Sequence, residues 1–451
     1  MDIDVDSSIS PLATWTLHPS PHDPAYLASQ DELRNLLFTT AQTPAPTRRG
    51  TPVRDEARES YEADTSASLR SDSVKQILAV GRRLEYLDNY VGRVASWLDM
   101  FDSNRNFAIT IPPLARRSPA LLYAILAISA RQLELMGGIR NPCDSLELYQ
   151  EAIQMLKPLL QVRDEDAITV SVILCCMEMM SASGEDWRRH LDGCAALFVS
   201  FGVNGFSDDL RKALFWCYAR MDLCGALMSD GTQSTLIEPW RWLAPGVSAD
   251  RAQELFAQHR SPDMHANYAV YLCAKVCELL ADRTKYSELG ADNGCNDAAY
   301  AMRWTALWDD LQAWLDQRPE ELLPLQTLDG KPFPHILFIH WAAISANQLH
   351  HTACLLLLDM APAGSKQSLQ KEQLILGYAK RICGISLTNP HQGCINNAVQ
   401  PLWIAGRHLT HRSEHAVLIK LFKNIEQTTG WATSWRVADL ERIWGYKIRK
   451  N

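Results

Sequence analysis

No Cys-x-x-Cys pair occurs anywhere in this chain, although it carries 12 cysteines. Zinc clusters and ribbons gather their thiolates through such short spacings, so the sequence offers no metal centre of that kind. The cysteines stand instead in apolar text such as SVILCCMEMM and YLCAKVCELL, which suits buried, reduced thiols better than a disulfide framework. A basic excess is missing too: 44 Lys and Arg face 52 Asp and Glu, a net charge of -8. That balance excludes a broad cationic face for phosphates, and the chain alone is expected to hold DNA weakly. The longest apolar run, Pro119 to Ala130, falls short of the roughly 20 residues that cross a bilayer. With MDIDVDSS at its start rather than a secretory leader, the chain is expected to be soluble and intracellular, with no membrane partner.

Catalytic signatures are equally scarce. There is no G-x-S-x-G elbow, no phosphate-binding glycine pattern, and no convincing strand to carry one. Asp208-Asp209 and Asp309-Asp310 lack the third acid that an all-α lyase needs to hold magnesium against a diphosphate. His411, Glu414 and His415 match the H-x-x-E-H order of inverted zinc proteases, with two His one helical turn apart and a Glu as base. Only 36 residues follow to supply a third ligand, and Ser413 and Glu414 suit the start of a helix. No catalytic, cofactor-binding or metal-ligating residue is assigned, and the chain is expected not to be an enzyme.

What the sequence has in abundance is helical periodicity. Apolar residues recur at three and four over segments near 74–102, 117–136, 144–160, 165–183, 187–201, 207–228, 264–282, 298–317, 334–360, 367–388, 397–410, 413–427 and 434–446. Ser118, Pro119 and Gly137-Gly138 read as the N-cap, first residue and stop of one of them. The expected fold is all-α, a large irregular array of about a dozen helices, as one multi-lobed domain or two packed halves. No repeat of fixed length supports a solenoid. Loops are expected near 231–250 and 287–297. Residues 1–72 are rich in Ser, Thr, Pro and acidic residues and read as a disordered tail preceding a helical domain over 73–451. Within that tail, Asp31 to Phe38 (DELRNLLF) is an amphipathic patch suited to folding on a partner, or an incidental apolar cluster. Ser10-Pro11, Ser20-Pro21, Thr43-Pro44 and Thr51-Pro52 are candidate phosphorylation sites.

Three blocks resemble the regulatory domain of fungal zinc-cluster transcription factors. The first, Tyr86 to Glu134, contains WLDMFD and SPALLYAILAISARQLE; the second, Trp187 to Trp240, contains WRRHLDGCAALF and FWCYARMDLCGALMSDGTQSTLIEPW. The third runs from PLWIAGRHLT at Pro401 to IEQTTGWATSWRVADLERIW. The resemblance covers roughly residues 75 to 447. It implies a nuclear regulator of RNA polymerase II transcription, often of metabolic or secondary-metabolite genes. It also implies a six-cysteine cluster holding two zinc ions, which reads DNA through a short helix. Here the first cysteine is Cys143, so zinc enters only if such a cluster stands upstream of Met1; otherwise the protein works without DNA contacts of its own. The implied partners are the transcription machinery, co-regulator proteins or a second copy of the chain, with DNA reached through a separate module. The rival readings are a helical scaffold or cofactor that never touches DNA, and an unrecognised all-α enzyme.

The residues of this pattern also have physical roles. Trp187, His190 and Leu191 share one helix face and suit packing between helices. Arg220 and Asp222, two apart, point in different directions, so each needs its own partner if buried. His190, Arg220 and Asp222 are the candidates for a polar network or an effector contact. Trp187, Trp240, Gly430, Trp431 and Trp444 form the structural signature, with Gly430 ending one helix and Trp431 anchoring the last beside Trp435 and Trp444.

Overall fold

The computed structural model describes residues 24–42, 74–137, 143–180 and 184–446; for 184–187, 189 and 190 it describes the backbone alone. Among the described residues the fold is all-α apart from one small hairpin. The chain divides into two compact units, Pro21–Asp222 with Leu236–Gly246, and Leu223–Thr235 with Val247–Asn451.

The first unit opens with α1 (Pro24–Gln42). Next, α2 (Arg83–Asn89) passes through a π-helical turn at Tyr90–Val94 into α3 (Ala95–Leu98), and a second π turn, Asn106–Thr110, leads into α4 (Ile111–Leu114). The single helix expected over 74–102 is therefore broken. Asp99 ends it by accepting the N–H groups of Phe107 (2.7 Å) and Ala108 (3.0 Å), which start the next segment. Four longer helices follow: α5 (Pro119–Leu135), α6 (Asp144–Val162), α7 (Asp166–Met179) and α8 (Gly184–Phe201), and then α9 (Asp209–Met228) carries the chain across the unit boundary. Pro119 opens α5, and Gly137 at φ 73° follows its end. Ser118 has the extended backbone of an N-cap, but its hydroxyl bonds Asp166 rather than the helix's own N–H groups.

Helix α1 corrects the expectation of a disordered tail over 24–42. Leu33 and Leu37, one turn apart, are 3% and 2% exposed where α1 packs on α6 and α8. Close approach is possible because α8 presents Gly193: a Cβ there would lie 2.9 Å from Leu37 Cβ. Tyr26 stacks on Tyr149 (6.2 Å between centroids), and Glu32 pairs with Lys157 at 2.6 Å. The rest of the expected tail, with its Ser-Pro and Thr-Pro dipeptides, lies outside the described residues.

The second unit comprises α10 (Ala252–Gln258), α11 (Pro262–Leu289), α12 (Asp297–Asp316), the hairpin β1 (Gln326–Leu328) and β2 (His335–Leu337), α13 (Trp341–Asp359), α14 (Lys371–Thr388), α15 (Gln392–Ile395), α16 (Val399–Gly406), α17 (Arg412–Thr429) and α18 (Ser434–Ile443). Buried α13 packs against both α11 and α14. Buried tryptophans tie neighbours through their polar tips: Trp304 donates to Leu357 O (2.7 Å) and Trp314 to His265 O (2.9 Å).

The hairpin replaces the start of the helix expected over 334–360. Pro332 and Pro334 lack the N–H groups a helix needs, and the apolar residues that follow pair antiparallel, Thr327 with Ile336. The far edge of β2 is held by side chains that follow α14: Phe338 N–H donates to Asn389 Oδ1 (2.9 Å) and Asn389 Nδ2 to Ile336 O (2.7 Å). Helix α13 starts only after His340, whose ring accepts from Ala342 N–H.

Gly430, at φ 75°, terminates α17, and Trp431 beside it is 8% exposed. Glu426, one turn back, accepts the N–H groups of Thr433 (2.8 Å) and Ser434 (2.9 Å) and so caps α18. Trp444 lies flat on His415, 3.8 Å between ring centroids at 6°, and donates to Gly406 O at 2.9 Å.

Candidate functional site

Asp222 is fully buried on α9, and its two oxygens accept the N–H groups of Leu236 (2.8 Å) and Ile237 (3.0 Å). Burial pushes its carboxyl up to about 7, against the two backbone donors and Arg188, which favour the charged form. Arg220, two residues earlier, turns elsewhere: its Nη2 donates to Leu98 O (2.7 Å) and its guanidinium lies over Phe101 at 5.4 Å. The structure therefore gives the pair separate partners within this unit, with Asp222 holding a loop and Arg220 closing the end of α3.

The loop that Asp222 holds is pinned again farther on. Trp242 donates to Ile237 O (2.9 Å) and meets Trp216 edge-on at 5.9 Å. Trp216 in turn donates to Gly205 O (2.8 Å), whose N–H donates to Trp242 O (3.0 Å). Pro239–Trp242 is a 3₁₀ turn in which residues three apart share a side, so Pro239 and Trp242 are buried together. Trp240 is 53% exposed, with the Arg241 guanidinium 4.5 Å above its ring. This corrects its place in the structural signature: the packed tryptophan is Trp242, which the spacing from Pro239 signals once the 3₁₀ turn is known.

The fixed loop forms one side of a cavity of about 540 Å³, within the range of small-molecule sites. Leu236, Ile237, Glu238 and Arg241 line it from the loop, while Phe38, Ala41 and Gln42 line it from the end of α1. Helix α8 supplies the third wall through Asp192, Ala195, Ala196, Val199 and Ser200. Most of this surface is apolar. Desolvation raises the Asp192 carboxyl above its ordinary range, opposed by the charges of Arg188 and Arg34, and Glu238 pairs with Arg241 at 3.0 Å. Sequence reasoning missed the cavity because its walls come from three segments far apart in the chain.

Trp187 and His190 belong to α8, but their side chains lie outside the described residues. The H-x-x-E-H stretch is a helix start: His411 is the N-cap, Glu414 returns to its N–H in a capping box, and His415 stacks on Trp444 while bonding Leu409 O (3.0 Å). The cap is thus His411 rather than Ser413. Among the described residues, no three His, Cys, Asp or Glu side chains are grouped to hold a metal ion, and no helix is long and apolar enough to cross a membrane. All twelve cysteines are free; Cys143 is exposed, and burial pushes thiols such as Cys217 (to about 11) upward.

These features describe a helical domain in which buried Asp222 and Trp242 hold one loop in place. Residues 85–445 match the fungal specific transcription factor domain, and the chain belongs to that family. Among curated proteins it is similar to Transcription activator AMTR1 of Alternaria alternata, 22% identical over 338 residues. That alignment takes in 62% of this chain and 44% of the relative, so the chain spans less than half of the relative's length. No solved structure matches. Helix α1 lies outside the family span.

Proposed function

We propose that this chain regulates transcription by RNA polymerase II in the nucleus, acting on metabolic or secondary-metabolite genes through contacts with co-regulator proteins, an effector or a second copy of itself. The observation that carries the reading is the family match over 85–445, supported by similarity to a protein named as a transcription activator. The net charge of -8 supports reaching promoter DNA through another module, because phosphate neutralisation needs a basic face. The second reading, a helical cofactor without DNA contact, is favoured by that same charge. Chromatin immunoprecipitation of the tagged full chain from its native cells tests the proposal. Enrichment at a defined set of promoters is expected, whereas a uniform background with cytoplasmic staining would reject it.

A further inference from the structure

We propose that the cavity bounded by α1, α8 and the 236–241 loop binds one neutral, mainly apolar small molecule bearing a hydrogen-bond donor, and that the bound molecule fastens α1 to the domain. The loop wall is built for permanence: the buried carboxyl group of Asp222 is committed to two backbone N–H groups, and Trp242 locks the far end. The opposite wall is of another kind. It comes from α1, which stands outside the family span and has only two large apolar side chains fully buried, Leu33 and Leu37. A molecule in contact with both α1 and α8 adds to that modest hold, and by linkage α1 docking strengthens binding equally.

The lining sets the chemistry. Apolar surface from Phe38, Ala196 and Ile237 takes the body of the ligand, and the half-buried Asp192 carboxylate takes a donor. Arg34 and Arg188 offset the charge of Asp192, so a full cation is not required. An anion meets Asp192 in the α8 wall, while at the rim the charge of Glu238 is offset by its pair with Arg241.

The experiment uses the full chain with 2-naphthol as probe, read by the probe's fluorescence and by hydrogen exchange over 24–42. Saturable binding at one site and slowed exchange in α1 are expected, with naphthalene-2-carboxylate binding about tenfold more weakly or worse. Ala196→Phe puts a ring into the cavity from the α8 wall, and it should weaken naphthol about tenfold or more while α1 stays protected. Val199→Phe, from the exposed lip of the same wall, repeats the test if the first variant misfolds. Gly193→Leu forces α1 off α8, so exchange in α1 should rise and naphthol affinity fall together. Absence of binding to the parent, or full binding in whichever of these phenylalanine variants folds, would overturn the site. Equal binding of the carboxylate would overturn the ligand class, and α1 exchange indifferent to the probe would overturn the coupling. None of these results bears on promoter occupancy, which tests the transcriptional reading separately.

Discussion

Replacing Asp222 with Ala leaves the part-buried N–H of Leu236 and the buried N–H of Ile237 without their acceptor. Each such orphan costs about 1–3 kcal/mol, so the loss is about 2–6 kcal/mol in the first unit. A pH signature separates this from simple cavity formation. In the folded parent the Asp222 carboxyl sits at about 7 against an ordinary 3.8, so between those values the folded state holds a proton that the unfolded state has lost. Stability is therefore highest at low pH within that window and falls by about 1.4 kcal/mol per unit until pH passes about 7. Asp222→Ala lacks this slope. Its destabilisation should accordingly be about 2–3 kcal/mol larger at pH 5 than at pH 7.5. Asp99, whose carboxyl is also pushed up to about 7, contributes equally to parent and variant and cancels. Urea unfolding at the two pH values gives the difference, and hydrogen exchange over 230–246 shows whether the Leu236 and Ile237 amides have opened. Unchanged protection of those amides, or a destabilisation independent of pH, would refute the role given to Asp222.

Four further outcomes follow from packing and capping. Gly205→Ala drives a Cβ to 2.6 Å from Trp216 Cζ2 and should cost about 1–3 kcal/mol in the midpoint of denaturant unfolding. Trp431→Ala empties the seat of an 8% exposed tryptophan and should cost about 3–5 kcal/mol, so equal melting of variant and parent would show that the ring is not packed. Glu426→Ala removes the acceptor that caps α18 and should cost about 0.5–2 kcal/mol, with faster exchange at Thr433 and Ser434. Iodoacetamide on the native chain should label Cys143 first, since ten of the other cysteines are buried; simultaneous modification of Cys175 and Cys176, checked by peptide mass mapping, would contradict that burial.

Much of the helical array was legible because its signals are local. Proline at the start of α5 and glycine at the end of α17 act through their own backbone, and periodicity over a dozen residues survives any tertiary arrangement. Long-range features were not legible. Helix α1 has two fully buried leucines, and its seat on Gly193 is about 150 residues away in the chain, so its composition reads as tail. The run Ile336 to Ile339 is apolar enough to pass as helix, but the prolines before it, its pairing with β1 and the side chain of Asn389 beside it make its start a strand. At the candidate site, the two-residue spacing of Arg220 and Asp222 correctly denied them a mutual pair, but nothing in that spacing names Leu98 or Leu236 as partners. Trp240 drew notice as a large residue beside a proline, while the 3₁₀ geometry buried Trp242 instead.

The transcriptional role is tested most directly by fusing the full chain to an unrelated DNA-binding domain and measuring a reporter that carries the matching sites. The account predicts that reporter output changes severalfold relative to the DNA-binding domain alone, and that Asp222→Ala, by loosening the 236–241 loop, weakens the change at unaltered protein level. Output equal to that of the DNA-binding domain alone, from a fusion shown to be folded, nuclear and bound to its sites, would contradict it.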